Sequence, residues 1–219
     1  MPIFSILLVP IVLSTNTAAC AAEASTRLHI NRKQRMLYVV GADNKVLYQS
    51  PVGVGRGGLK GKRSIKDLVT PTGFFVVDLV LMQSAPESNK VSSKYFQRYS
   101  KTVSKKYFSS PQALAGLFKN MNSIDFDGNG KPDRAYGSAY FGVSSPRAVT
   151  GPKLSSYKGT QYWYSIALHG TPNEKSDIGS ANSGGCVHLP AKAINDLTSN
   201  RWLKLGTELT ISDGAHKGL

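Results

Sequence analysis

The chain has 219 residues, of which 41 % are hydrophobic and 18 % charged, and its formal net charge is +14. That composition excludes a disordered chain, and about 190 residues beyond a short leader suit one domain with a core of useful size. The excess of Lys and Arg suits anionic partners, but the basic residues fall into no aromatic-and-basic pattern of the known nucleic-acid modules, so nucleic acid is not an expected partner.

Residues 1–22 carry no charged side chain and hold an apolar run at 3–13 followed by small residues at 17–22. The run is too short to span a bilayer and reads as a secretory leader, which implies export to the periplasm or cell envelope. Cys20 is either removed with the leader or lipidated after it, and only the second would attach the chain to a membrane. Oligomeric state is not legible.

From 26 to 80 the pattern is β. Strands are expected at 27–30, 36–40 and 45–49, separated by the turns at 31–35 and 41–44. His29, between Leu28 and Ile30, faces away from both and is assigned no role. Gly53, Gly55, Gly57 and Gly58 form a glycine-rich turn that no helix pattern follows, which excludes a phosphate loop. Arg56, Lys60, Lys62, Arg63 and Lys66 make a basic loop ahead of Thr70-Pro71-Thr72-Gly73, and 74–81 is the next strand.

Residues 82–160 form a longer and less regular segment, read as an insertion or lid. Basic residues Lys90, Lys94, Arg98, Lys101, Lys105, Lys106 and Lys119 alternate there with Tyr95, Phe96, Tyr99, Tyr107 and Phe108. These aromatics either contact a substrate or pack the segment onto the sheet. Pro111 favours a helix start, with the helix running through 113–121. Asp125, Asp127, Asn129, Gly130 and Asp133 match positions 1, 3, 5, 6 and 9 of a calcium loop, but Tyr136 occupies position 12, where the bidentate Glu belongs. Calcium is therefore at most a weak ligand, and the same residues are ordinary turn formers.

The chemistry gathers at 162–190. An apolar, β-branched and aromatic run at 162–168 reads as a buried strand that ends at His169, with Gly170 and Pro172 stopping it. Cys186 follows 186 − 169 = 17 positions later in a glycine-flanked turn, Ser183-Gly184-Gly185-Cys186. That separation cannot be bridged on one helix, so two strand ends must bring the pair together. A free thiol is only about 3 % thiolate at neutral pH and needs a proton acceptor to act as a nucleophile. A strand-end imidazole oriented by a nearby carbonyl supplies one, and glycine-turn amides suit an oxyanion hole. Pro190 opens a helix at 191–200 with Ala193, Ile194 and Leu197 on one face, whose N-terminal end would favour an anion at the thiol. A last strand is expected at 207–211, then a tail at 213–219 in which His216 is inert.

His169-Gly170, then Ser183-x-Gly185-Cys186-Val187, resembles the signature of the L,D-transpeptidase (YkuD-type) catalytic domain. The stretches 47–58 and 69–77, with Thr70-Pro71-Thr72-Gly73, are similar to that family's strand, glycine turn and T-P-T-G element. The resemblance implies one catalytic domain at 26–212, a mostly-β curved sheet or small sandwich with one or two helices and an inserted lid. It further implies a cysteine acyltransferase acting on peptidoglycan stem peptides and glycan strands, with no required cofactor. Cys186 would be the nucleophile and His169 its base. Gly170 would orient the imidazole, and Ser183, Gly184, Gly185 and His188 would shape the oxyanion site. Two positions depart from the family pattern: Gly184 stands where the family carries His, and His188 where it carries Arg or Asn. The other readings are a wall-binding protein whose site has decayed and a different cysteine-dependent wall amidase or endopeptidase.

Overall fold

A computed structural model describes residues 26–63, 65–93, 105–144 and 166–214. The leader, Cys20, His216, Tyr95, Phe96, Tyr99 and most of the strand expected at 162–168 lie outside the described residues.

One large curled sheet carries the fold. Its strands are β1 (Arg27–Asn31), β2 (Met36–Val40), β3 (Val46–Pro51), β5 (Gly73–Met82), β6 (Lys90–Val91), β7 (Ala139–Ser144), β8 (Ala167–His169), β10 (Val187–His188) and β11 (Glu208–Ser212). Their order is β10-β8-β7-β5-β11-β1-β2-β3, with β6 added beside β5, and the pairs β1–β11 and β8–β10 are parallel. A separate two-stranded parallel sheet joins β4 (Val54–Gly55) to β9 (Ala181–Ser183). The α-helices that lie wholly within the described residues are α1 (Pro111–Asn122), α2 (Glu174–Asp177) and α3 (Ala191–Ser199). Of these, α1 and α3 stand where the sequence puts helices, while the single turn of α2 has too few residues for a periodic signal.

Local chemistry explains the boundaries. Asn31 Oδ1 accepts from the Gln34 amide to close the β1–β2 turn, and Asn44 takes the left-handed conformation at the β2–β3 turn. Ser110 caps α1 by accepting from the Ala113 amide, and Pro111 opens it. Along α3, Ala193, Ile194 and Leu197 are the buried residues, as the periodicity requires.

The core is in two parts. The larger packs Leu28, Ile30, Leu37, Val77, Phe141, Leu168, Leu209 and Ile211 of the sheet against Ile194 and Leu197 of α3. The smaller holds Leu79, Leu81, Tyr140 and Ala167 against Leu114 and Phe118 of α1, with Tyr136 and Cys186 at its edge.

Two sequence expectations need correction. Residues 82–160 are not one insertion, because β7 lies inside the main sheet between β5 and β8. Its six residues are all buried, and a strand enclosed on both faces gives no alternation to read. Within 83–138, ahead of β7, β6 also pairs with β5 at the sheet. The tail likewise starts later than 213. Arg32, buried, pairs with Asp213 at 2.6 Å, and the Gly214 carbonyl accepts from Asn31 Nδ2 and lies 3.3 Å from His29 Nε2.

Candidate active site

The parallel pairing of β10 on β8 sets Leu168 against Val187 and His169 against His188. Because successive side chains alternate across a sheet, Cys186 and His188 share the face of Ala167 and His169. The two strand ends required by the 17-position separation are therefore immediate neighbours. Val187 and Leu168 point to the other face, into the larger core.

His169 is 4 % exposed, and its Nδ1 lies 2.6 Å from the Gly170 carbonyl oxygen. An Nδ1–H donating to that carbonyl leaves Nε2 as the acceptor, the tautomer that a general base needs. Burial pushes the imidazole down to about 3, the neighbouring His188 adds to this, and the Gly170 bond and the Asp177 charge oppose it. Tyr136 packs edge-on against the ring at 5.1 Å between centroids, and Tyr140 lies parallel to it at 6.1 Å. His169 is thus a sterically fixed imidazole shifted toward its neutral form.

Cys186 is half-buried against the smaller core. Burial pushes its thiol up to about 11, against a backbone hydrogen bond with Ala167 and the charge of Lys62, both of which lower it. Thiol and imidazole are shifted in opposite directions, each toward its neutral form. Both shifts favour a thiol and an imidazole over a thiolate–imidazolium pair. Tyr136 also feels the cysteine: burial, then the Cys186 charge, pushes its phenol up to about 12.

The turn before the cysteine is held from both ends. Ser183 Oγ donates to the Cys186 carbonyl at 2.6 Å and accepts the Gly185 amide at 3.1 Å. That corrects one expectation, because the Gly185 N–H is already engaged and is not an oxyanion donor in this geometry. Thr70 Oγ1 donates to the Gly185 carbonyl at 2.9 Å and accepts the Gly55 amide at 2.8 Å. Since a trans peptide points its C=O and N–H in opposite directions, Thr70 aims the Cys186 N–H away from itself. Arg32 in turn donates to the Thr70 carbonyl, linking the turn to Asp213. Gly185 has φ +124°, and a Cβ there would stand 3.0 Å from the Val69 carbonyl, so any side chain at this position is strained. Gly184 is exposed, and a Cβ there would meet nothing within 4 Å.

His188 is placed by a partner the sequence did not reveal. Its Nδ1 lies 3.4 Å from Asp177 Oδ2, its ring centroid is 4.8 Å from that of His169, and its buried Nδ1 has no hydrogen-bond partner among the described residues. Burial lowers the His188 pKa, with Asp177 raising it in opposition. Burial likewise raises the Asp177 carboxyl, but bonds from Thr171, Asn182 and Ser176 and the charge of His188 outweigh this, and the net shift is downward. The approach depends on Gly53, which exchanges backbone hydrogen bonds with His188 and whose Cβ would strike the Asp177 carbonyl at 2.3 Å. The glycine-rich turn therefore serves close backbone packing.

The N-terminus of α3, expected to favour an anion at the thiol, has its first amide engaged by a carboxylate: that of Ala191 donates to Glu174 Oε1 at 2.6 Å.

Asp125, Asp127 and Asp133 bring one carboxylate oxygen each within 4.8 Å of one another. Those oxygens already accept from backbone: Asp125 from Gly128, Asn129 and Gly130, and Asp133 from Phe126. Asn129 Oδ1 accepts from Lys131. The residue at position 12, Tyr136, is turned onto His169 instead. The loop fits a cation only in part, and the segment that follows it sets Tyr136 against the sheet face that carries His169.

A thiol and a neutral, carbonyl-oriented imidazole on one face of a curled β-sheet, beside a glycine turn, define a site suited to cysteine acyl transfer. The YkuD family, described as the L,D-transpeptidase catalytic domain, matches residues 25–211, and the chain belongs to that family. Among solved structures, the chain is similar to the helical cell shape determining protein Pgp2 from Campylobacter jejuni (14 % identity, TM-score 0.50, covering 89 % of this chain and 50 % of that one). It also matches Bdellovibrio bacteriovorus Bd1075 (19 %, 0.48, 88 % and 49 %) and the catalytic domain of the Enterococcus faecium (E. faecium) L,D-transpeptidase (12 %, 0.41, 87 % and 99 %). The chain spans about half the length of the first two. No curated protein matches it.

Proposed function

We propose that this chain is an L,D-transpeptidase of peptidoglycan stem peptides that works through a cysteine thioester. The observation that carries the reading is the β8–β10 register, which places His169, its Nδ1 on the Gly170 carbonyl, on the same sheet face as Cys186. As Cys186 attacks the carbonyl of an L-to-D peptide bond, the thiol proton passes to His169 Nε2. The tetrahedral oxyanion is met by amides of the turn at Gly184 and Cys186. Collapse breaks the C–N bond, the leaving D-amino acid takes the proton from His169, and a thioester remains. An acceptor amine or water then attacks the thioester, giving up its proton to His169, and the thiol is regenerated. An amine gives a cross-link; water gives carboxypeptidase activity. Such chemistry belongs in the periplasm or cell envelope, where it bears on wall structure and cell shape. Calcium takes no part in these steps and would be at most a weak ligand of the 125–133 loop.

Incubation with disaccharide stem peptides, read by mass spectrometry, tests this. Loss of one terminal D-alanine, or its exchange for an acceptor, is expected, with His169→Ala slower by ~10²–10⁴-fold. A cut in the middle of the stem would instead identify an endopeptidase, and sacculus binding without turnover a decayed site.

A further inference from the structure

Lys62 differs from the rest of its basic loop. Arg56, Lys60, Arg63 and Lys66 are exposed, whereas the Lys62 side chain is 5 % exposed. Burying an ammonium costs several kcal/mol unless it is paired and hydrogen-bonded. Lys62 Nζ donates to Asp67 Oδ1 at 2.9 Å and to the Val69 carbonyl at 2.8 Å, which uses two of its three N–H groups. The same Nζ lies 3.5 Å from where a Cβ on Gly185 would stand, directly against the residue before Cys186. Asp67, its counterion, also accepts the Val69 amide at 3.1 Å and the Arg63 amide at 2.5 Å, which anchors the negative end of the pair within the 63–69 loop.

The turn itself brings no cation. Gly184 leaves bare the position where the resemblance places a histidine, and a Cβ there would meet only open space. Among the described residues, the titratable and charged groups around Cys186 are Tyr136 from the segment before β7, His169 from β8, His188 from β10 with Asp177 behind it, and Lys62. With both imidazoles held toward the neutral form, Lys62 is the cation among these described groups.

We propose that Lys62 is a positioning residue for the nucleophile: from the loop between β4 and β5 it supplies the positive charge that the cysteine turn needs when the thiol gives up its proton. This rests on Cys186 as the nucleophile. Lys62 acts on it through space, and Asp67 fixes where the ammonium sits.

The test is the second-order rate of Cys186 alkylation by iodoacetamide in the full chain between about pH 7 and 9, located by peptide mapping. An opposite charge within about 4–6 Å shifts a pKa by about one unit or more, so Lys62→Met is expected to slow alkylation ~10-fold at fixed pH. Lys62→Met strands a buried carboxylate and destabilises the fold. The double variant Lys62→Met/Asp67→Asn removes both ends of the pair and recovers melting temperature, yet remains slow. Lys62→Arg restores most of the rate. A folded double variant that alkylates at the wild-type rate overturns the proposal and leaves Lys62 a structural ion pair. Alkylation needs no stem peptide, so a Lys62 effect without any acyl-enzyme would sink the transpeptidase reading alone, and the converse would sink only the role of Lys62.

Discussion

The neutral, buried state of His169 makes the stability of this domain fall in acid, by an amount that can be worked out. The imidazole titrates at 6.5 when unfolded and at about 3 when folded. Between those values the unfolded chain binds the extra proton, so stability is fully present above 6.5 and is lost as pH falls toward 3. Each unit is worth about 1.4 kcal/mol, so moving from about pH 7.5 to about pH 4.5 removes roughly 2.7 kcal/mol through this residue alone. That is a large share of the roughly 5–15 kcal/mol that holds a domain together. His169→Gln cannot take up the proton, and the lowered His188 is common to both chains and cancels. Urea unfolding of both chains at the two pH values isolates the contribution. The variant is expected to lose about 2–3 kcal/mol less than wild type on acidification. Equal losses would mean that His169 is not held neutral, and the mechanism would then start from a preformed ion pair. Cys186 acts at the other end: with its thiol raised from 9 to about 11, its contribution is present below 9 and lost as pH rises to about 11.

Further consequences concern the cysteine turn. Thr70→Val strands the Gly55 amide and the Gly185 carbonyl, both buried, and should cost about 2–4 kcal/mol in urea unfolding while slowing acylation; unchanged acylation would show that Thr70 does not aim the turn. Gly184→His should fold within about 0.5 kcal/mol of wild type, because its side chain enters open space, whereas Gly185→Ala should lose roughly 1–3 kcal/mol from the left-handed backbone and the Val69 carbonyl. Asp177→Asn keeps the bonding shape but removes the charge that raises His188, so the His188 titration followed by NMR should move to lower pH; a fixed midpoint would uncouple the pair.

The parts of this site legible in the sequence are those with local signatures. His169 stands out because Gly170 and Pro172 break the strand behind it, and Cys186 because glycines surround it. The orienting role of the Gly170 carbonyl follows from adjacency in the chain. The faces of α1 and α3 are written in their periodicity. What escaped notice is contact between distant segments. Thr70 reaches Gly185 across 115 positions, and its neighbours show no chemistry that points there. Asp177 is one of several acids in a polar loop until Gly53 lets it approach His188. Lys62 is indistinguishable in sequence from the exposed cations around it. β7 is hidden because a strand buried on both faces has no alternation, and the bond from the first amide of α3 to Glu174, at the start of α2, joins segments 17 positions apart.

The central claim is that Cys186 is a nucleophile in a site shaped for a D-terminal stem peptide. Intact-protein mass spectrometry of the purified chain with a carbapenem, an acylating mimic of that peptide, tests it most directly. A single adduct that is absent from Cys186→Ala and forms more slowly in His169→Ala is the expected result. No adduct on a folded wild-type chain with its Cys186 thiol still free would contradict the account.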